Sequence, residues 1–262
     1  MSQPDGGRFA AEVTDPRRHV VADFSSESET LLVVFGGIAG GVSMPVYEFF
    51  RISDGYPVKR LFLRDPVRSW YLRGLPGIGN EALTVRDALD QAIADSGATR
   101  VVLAGASAGG FAALLFGAWL RADAVVAFSP QSFLGGADRR EAGDDRWPDQ
   151  IASLHAALGA EHPHYDVLPH LEATPTGSIE IHVSGHDHLD LAHARRLAVV
   201  SGASVREHGN GGHRLVKALR DSGALRPILL RSLGLGDEPL AIKGERFTAP
   251  SRRRRSPRPR GC

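Results

Sequence analysis

The chain has 262 residues, 42% of them hydrophobic and 23% charged, with a formal net charge of +1, which is enough for one domain with a full core. Six arginines crowd between residues 252 and 260 with no acid among them, so the remainder is mildly acidic and gives no electrostatic case for nucleic acid. The single cysteine, Cys262, excludes an intrachain disulfide. No stretch of about eighteen apolar residues offers a membrane span, and no basic-then-apolar leader is seen, so a soluble cytoplasmic protein is the expectation.

In chain order, residues 9–13 and 19–24 read as short antiparallel strands at a sheet edge, joined through Asp15-Pro16. Leu31-Leu32-Val33-Val34-Phe35 is a continuous apolar run, the pattern of a strand covered on both faces, and it breaks into Gly36-Gly37-Ile38-Ala39-Gly40-Gly41. Residues 57–63 supply the next strand, which ends at Arg64-Asp65-Pro66 and leads to a loop holding Trp70 and Tyr71. The spacing of Ala82, Val85, Leu89, Ala92 and Ile93 predicts one face of a helix capped by Asn80 and ended by Gly97. Val101-Val102-Leu103 then reads as a strand, followed at once by Gly105-Ala106-Ser107-Ala108-Gly109 and by an apolar, Ala-rich helix. Residues 124–128 form another covered strand, and this alternation implies a mostly parallel sheet flanked by helices.

Residues 131–175 are the irregular part, with a charged run at 138–146 and one modest helix near 151–158, and are expected as a lid-like insertion. Residues 178–183 alternate as a strand, 191–200 read as a helix and 204–207 as a last short strand. The loop Gly209-Asn210-Gly211-Gly212-His213 follows, then helical segments at 215–220 and 225–233. A single domain over residues 1–236 is expected, with 237–262 as an Arg/Pro-rich disordered tail.

Strand, Gly-x-Ser-x-Gly and helix in succession describe a sharp turn that exposes a serine hydroxyl above the sheet, with small residues letting strand and helix approach closely. A serine hydroxyl is a weak nucleophile until a base takes its proton, and that base needs an acid to hold its tautomer. With Ser107 as nucleophile, His213 in the loop after the last strand is the candidate base. Asp187 and Asp190 both follow the preceding strand and are the candidate acids, Asp190 being preferred. The tetrahedral intermediate needs two N–H donors, for which the amide of Ala108 and that of Ile38, or of Gly37, are the candidates. Arg64, Trp70 and Tyr71 follow a central strand and are expected to face the pocket, the rings to bind a sugar or aromatic group and the guanidinium an anion; the equal alternative is Trp70 as a core anchor and Arg64 paired with Asp65 or another carboxylate.

The pattern from Leu31 to Leu230 resembles the serine α/β-hydrolases, with Gly105-Ala106-Ser107-Ala108-Gly109-Gly110-Phe111 similar to their nucleophile elbow. More narrowly, Arg64-Asp65-Pro66, Trp70-Tyr71, Phe128-Ser129-Pro130-Gln131 and Asp190-x-x-His193-Ala194 are similar to a subgroup of small bacterial α/β-hydrolases met beside glycan-building enzymes. The resemblance implies an α/β-hydrolase fold with a lid-like insertion, and favours Asp190 as the acid. It departs from the family at Gly36-Gly37, where a His-Gly pair is usual. The function expected is hydrolysis of a carboxylic ester or thioester on a small molecule, without cofactor or metal. Acyl transfer to a sugar or natural-product hydroxyl or amine is the alternative, and a non-catalytic binding module of the same fold is the second.

Other readings are weaker. His182, His186, His188 and His193 with Asp187 and Asp190 bring metal-ligand types together, but without helical ligand spacing, and are read as surface and supporting residues. The glycines after Phe35 lack the dinucleotide-binding spacing. The arginine-rich tail is read as solvated and not as a nucleic-acid arm.

Overall fold

The structure, a computed structural model, describes residues 9, 12–38 and 49–236. The expected glycines at 40 and 41 and the tail from 237 lie outside the described residues.

Among the described residues, seven strands form one sheet in the order β1-β3-β2-β4-β5-β6-β7. They are β1 (Val20–Asp23), β2 (Thr30–Phe35), β3 (Lys59–Leu63), β4 (Arg100–Ala106), β5 (Ala124–Phe128), β6 (Ser178–Ser184) and β7 (Ala203–His208). Six run parallel, and β1 pairs antiparallel with β3 from Val20↔Leu63 to Asp23↔Arg60. The centre of the sheet explains why its strands read as unbroken apolar runs. Leu31, Val33 and Phe35 of β2 enter one core layer, and Leu32 and Val34 the other. Period-two side chains on a strand covered from both sides have no solvent face to make polar.

The helices are α1 (Phe50–Ser53), α2 (Ala82–Ser96), α3 (Ala108–Leu120), α4 (Gly136–Ala142), α5 (Pro148–Leu158), α6 (Leu168–Ala173), α7 (His188–Leu197), α8 (Leu215–Asp221) and α9 (Leu225–Ser232). Residues of α2, α3, α6 and α7 join the layer of Leu31, while α8 and α9 join that of Leu32. The order of the sheet reverses between β2 and β4, which are hydrogen-bonded neighbours from Thr30↔Arg100 to Phe35↔Gly105. Loops leaving the carboxyl ends of these two strands diverge, and such a switch point is where open α/β sheets bind ligands. Gly36 and Ser107 both stand there.

Three expectations are corrected. The segment at 9–13 is not a strand: Glu12, Val13 and Thr14 are helical. Phe9 and Val13, four apart, bury one face, and Phe9 packs on the rings of Phe50 and Phe62 at 5.8 and 6.3 Å. Helix α2 begins after Glu81, with no side-chain cap from Asn80. The insertion is more ordered than its composition implied, holding α4, α5 and α6 in place of one helix. Pro148 opens α5, where its missing N–H costs nothing. The insertion is tied at its base by the Leu134 N–H to Tyr165 and the Val167 N–H to Ser132.

No helix among the described residues is long and apolar enough to cross a membrane.

Candidate active site

Ser107 joins β4 to α3 with φ 54° and ψ −119°, a strained conformation for a residue with a side chain. Two glycines make the turn possible. A Cβ on Gly105 would lie 2.1 Å from the Gly109 carbonyl oxygen, and a Cβ on Gly109 would lie 2.1 Å from that of Phe35. Backbone therefore packs on backbone, drawing the first turn of α3 against the end of β2. The Ser107 N–H donates to the Phe128 carbonyl at 2.8 Å, which pins the turn to β5.

His213 stands in a short 3-10 turn after β7, and its Nε2 lies 2.9 Å from Ser107 Oγ. Its Nδ1 lies 2.9 and 3.1 Å from the two oxygens of Asp190, in the first turn of α7. An ionised carboxylate accepts only, so Nδ1 carries the proton and Nε2 faces the serine as acceptor. Asp190 has no exposed surface. Burial raises its carboxyl, but the hydrogen bond and charge of His213 with the hydrogen bond of Arg146 outweigh this and hold it below the ordinary carboxylate value. Asp187 is placed differently: its carboxylate accepts from the Asp190 N–H at 3.0 Å and caps α7.

A buried chain of charges continues behind Asp190 that the sequence reading did not single out. Arg146 Nη1 donates to Asp190 Oδ1 at 2.7 Å, while its Nε and Nη2 grip the two oxygens of Asp144 at 3.0 and 2.8 Å. His193 Nε2 meets Asp144 Oδ2 at 3.0 Å, and its Nδ1 accepts from the Ser132 N–H at 3.0 Å. Burial pushes His193 below the ordinary histidine value, in keeping with a neutral ring. Asp144 is held well below the carboxylate range: burial opposes this, and His193 and Arg146 overcome it. The signal available in the sequence was Asp190-x-x-His193, since residues three apart share a helix face. Asp144 and Arg146 lie in the charged run at 138–146, whose composition names no partner for either.

On the other side of Ser107, the Ala108 N–H begins α3 and has no partner within the helix. Ile38 is buried and Gly37 half-buried in the loop after β2. Gln131 Nε2 lies 3.4 Å from Ser107 Oγ. The Trp70 indole N–H, a donor only, reaches Gln131 Oε1 at 3.1 Å and thereby fixes which end of the amide faces the serine.

Trp70 and Tyr71, expected to line the pocket, have no exposed surface. Their loop is wound around Asp65, whose carboxylate accepts the N–H groups of Val67, Arg68, Ser69 and Tyr71 between 2.6 and 3.1 Å, and this turns both rings inward. Tyr71 Oη lies 3.0 Å from the Gly36 carbonyl at the end of β2, while Trp70 stands one residue behind the serine, through Gln131. The Asp65 carboxylate is taken up by backbone rather than by Arg64, which is half-buried. Arg64 Nε is buried with no hydrogen-bond partner among the described residues.

Of the other histidines, His186 and His188 are exposed, but His182 is buried and is not a surface residue. It stacks on Phe128 at 5.0 Å and contacts His208 Nε2 at 3.0 Å and Glu180 Oε2 at 3.2 Å. Burial lowers it to about 4 against the pull of Glu180.

No family model and no curated protein sequence matches the chain. Solved structures do. The capsule O-acetyltransferase of Neisseria meningitidis serogroup A superposes with a TM-score of 0.59 at 17% identity, over 78% of this chain and 88% of that one. A glycosylation-associated protein complex from Streptococcus agalactiae gives 0.64 at 19% identity, over 85% of this chain and 47% of that one. The thermostable carboxylesterase EstE1, cloned from a metagenomic library, gives 0.56 at 15% identity, over 82% and 84%.

Proposed function

On the α/β-hydrolase fold that the chain shares with these structures, we propose that it is a serine hydrolase cleaving a carboxylic ester or thioester through an acyl-enzyme. The observation that carries this reading is the relay from Ser107 Oγ to His213 Nε2 at 2.9 Å and from His213 Nδ1 to Asp190 at 2.9 Å, on a strained elbow. Oγ attacks the acyl carbonyl carbon as its proton passes to Nε2, and Asp190 stabilises the imidazolium that results. The oxyanion takes the N–H of Ala108 and that of Ile38 or Gly37. Collapse expels the alcohol or thiol, which leaves with the proton from Nε2. Water, deprotonated by the same nitrogen, then releases the acid and restores Ser107.

Arg64 is the candidate anchor for an anionic group of the substrate, its Nε being buried without a partner among the described residues. Residues 131–175 bring Gln131, Arg146 and Trp147 to the site and belong to one domain with the sheet. A second reading is acyl transfer to a sugar hydroxyl, favoured by the likeness to a capsule O-acetyltransferase. The two differ only in whether water or an acceptor alcohol meets the acyl-enzyme.

The test is labelling with a fluorophosphonate, read by intact mass. Wild type is expected to gain one adduct at Ser107, and Ser107→Ala none with an unchanged circular dichroism spectrum. Folded wild type that takes no adduct would leave a non-catalytic binding module. Products of an activated acetyl ester, with and without sugar acceptors, separate the two readings: free acetate supports hydrolysis, and a dominant sugar ester the transfer.

A further inference from the structure

We propose that Arg146, delivered by the insertion, is a positioning residue of the relay, holding Asp190 against His213 and setting the charge balance around that base. The proposal rests on the acyl-enzyme reading of Ser107.

The geometry is specific. Asp190 Oδ1 receives both Arg146 Nη1 at 2.7 Å and His213 Nδ1 at 2.9 Å. The two nitrogens lie 3.3 Å apart, and each carries a proton, so neither accepts from the other. A cation and the hydrogen-bonding edge of the base are thus held nearly in contact across one shared oxygen.

Arg146 has little freedom to leave. Its fork is bidentate on Asp144, a carboxylate with no exposed side-chain surface. His193 closes the far side of Asp144, Arg139 Nη1 stands 3.7 Å from it, and Arg139 Nη2 donates to the Arg146 carbonyl at 2.6 Å. Three of the four charges are less than one-tenth exposed, at 0% for Asp144 and Asp190 and 7% for Arg139, and Arg146 is 17% exposed. Buried ion pairs return little net stability against their desolvation. The burial therefore points to a task at the relay, and not to holding the fold.

That task follows from sign. The groups facing His213 are the Ser107 hydroxyl from the elbow, Asp190 from α7, and Arg146 with the Trp147 ring, 6.0 Å away, from the insertion. Asp187 at the α7 cap also has a carboxylate oxygen within 4.8 Å of the facing atoms of Asp190 and His213. Asp190 and Asp187 set negative charge beside the ring, and Arg146 sets a positive charge 3.3 Å from its Nδ1 that opposes them. Asp144 draws on the same guanidinium from behind and tempers it. The insertion thereby sets the charge balance at the relay from a segment that contributes none of the reacting atoms.

The experiment follows the fluorophosphonate labelling rate of Ser107 across pH, which needs no knowledge of the substrate. Arg146→Gln is expected to slow labelling about tenfold at neutral pH and to move the acid limb up by about one pH unit. Asp144→Asn, which leaves the guanidinium to Asp190 alone, is expected to move that limb down by a smaller amount. Arg146→Lys keeps the charge without the fork, so the limb stays near wild type while part of the rate loss remains.

A merely structural role lowers the melting temperature without shifts of opposite sign. Limbs that coincide in wild type, Arg146→Gln and Asp144→Asn overturn the proposal. If Arg146→Gln does not fold, Asp144→Asn decides alone, by a downward shift or none. If wild type takes no label, the acyl-enzyme reading falls; the low-field His213 Nδ1–H resonance, titrated in the same variants, then judges the Arg146 effect separately by the same ordering.

Discussion

On the elbow side of Ser107, backbone packs on backbone: Gly105 and Gly109 bring β4, α3 and the end of β2 to distances that no side chain tolerates. On the insertion side, charge packs on charge: Asp190, Asp144 and His193 are buried, and Arg146 largely so, in one chain of hydrogen bonds. The first arrangement works by steric exclusion and has almost no pH dependence. The second works by electrostatics in a poorly solvated interior, where each group is tolerated only with its partner in place. One serine is thus set by a rigid half and a titratable half, and the two respond to different perturbations.

The sharpest way to separate them is at the acid. Asp190→Asn keeps the shape but offers His213 an amide, and labelling of Ser107 is expected to fall by about 10⁴-fold through the wrong tautomer. Asp187→Ala is expected to leave labelling within a few-fold while costing about 1 kcal/mol of stability by loss of the α7 cap. A larger loss of labelling in Asp187→Ala than in Asp190→Asn would return the acid to Asp187. On the steric half, Gly109→Ala sets a methyl against the Phe35 carbonyl, where only backbone can yield. A loss of about 3 kcal/mol or more in urea unfolding is expected, unaltered between pH 5 and pH 8. A mild loss would mean that the elbow relaxes.

The pH response of the buried histidines tests the same contrast. The folded protein holds His182 and His193 below the ordinary value by burial, so the unfolded chain binds protons that the folded one refuses. Their stabilisation is fully present above about pH 6.5 and is lost as pH falls toward the folded value, which is about 4 for His182. A melting temperature that declines over this window, and declines less in His182→Phe, is expected. The Asp144 and Asp190 contribution survives to lower pH and is lost only below about 4, where the unfolded carboxyls protonate.

The smallest expected effect lies at Trp70→Phe, which keeps a buried ring but loses the donor to Gln131. A two- to five-fold drop in labelling, about the worth of one hydrogen bond, is expected with little change in stability. An unchanged rate would remove Gln131 from any part in orienting Ser107.

Much of the frame was legible along the chain because its signals are local. The apolar runs at 31–35 and 124–128 and the glycine spacing around Ser107 are patterns that neighbouring residues impose on one another. Trp70 and Tyr71 were misplaced for the complementary reason: an aromatic pair after a central strand fits a pocket wall as well as a core. Only the winding of the loop around Asp65 decides between them. Likewise the charged run at 138–146 names no partners by composition, yet Asp144 is buried and Arg146 largely so, because their partners arrive from elsewhere.

The sequence by itself determined the strand–elbow–helix and the two-faced burial of the central strands, since each depends on periods and turn chemistry within some ten residues, and it carries Ser107, Asp190 and His213 in the chain order of the family it resembles. Tertiary structure alone decided that Asp190 meets His213 while Asp187 caps a helix, and that Arg146, 44 positions before Asp190, completes the buried charges. Pairing of buried charges is set by low dielectric and long-range packing, and neither leaves a period along the chain.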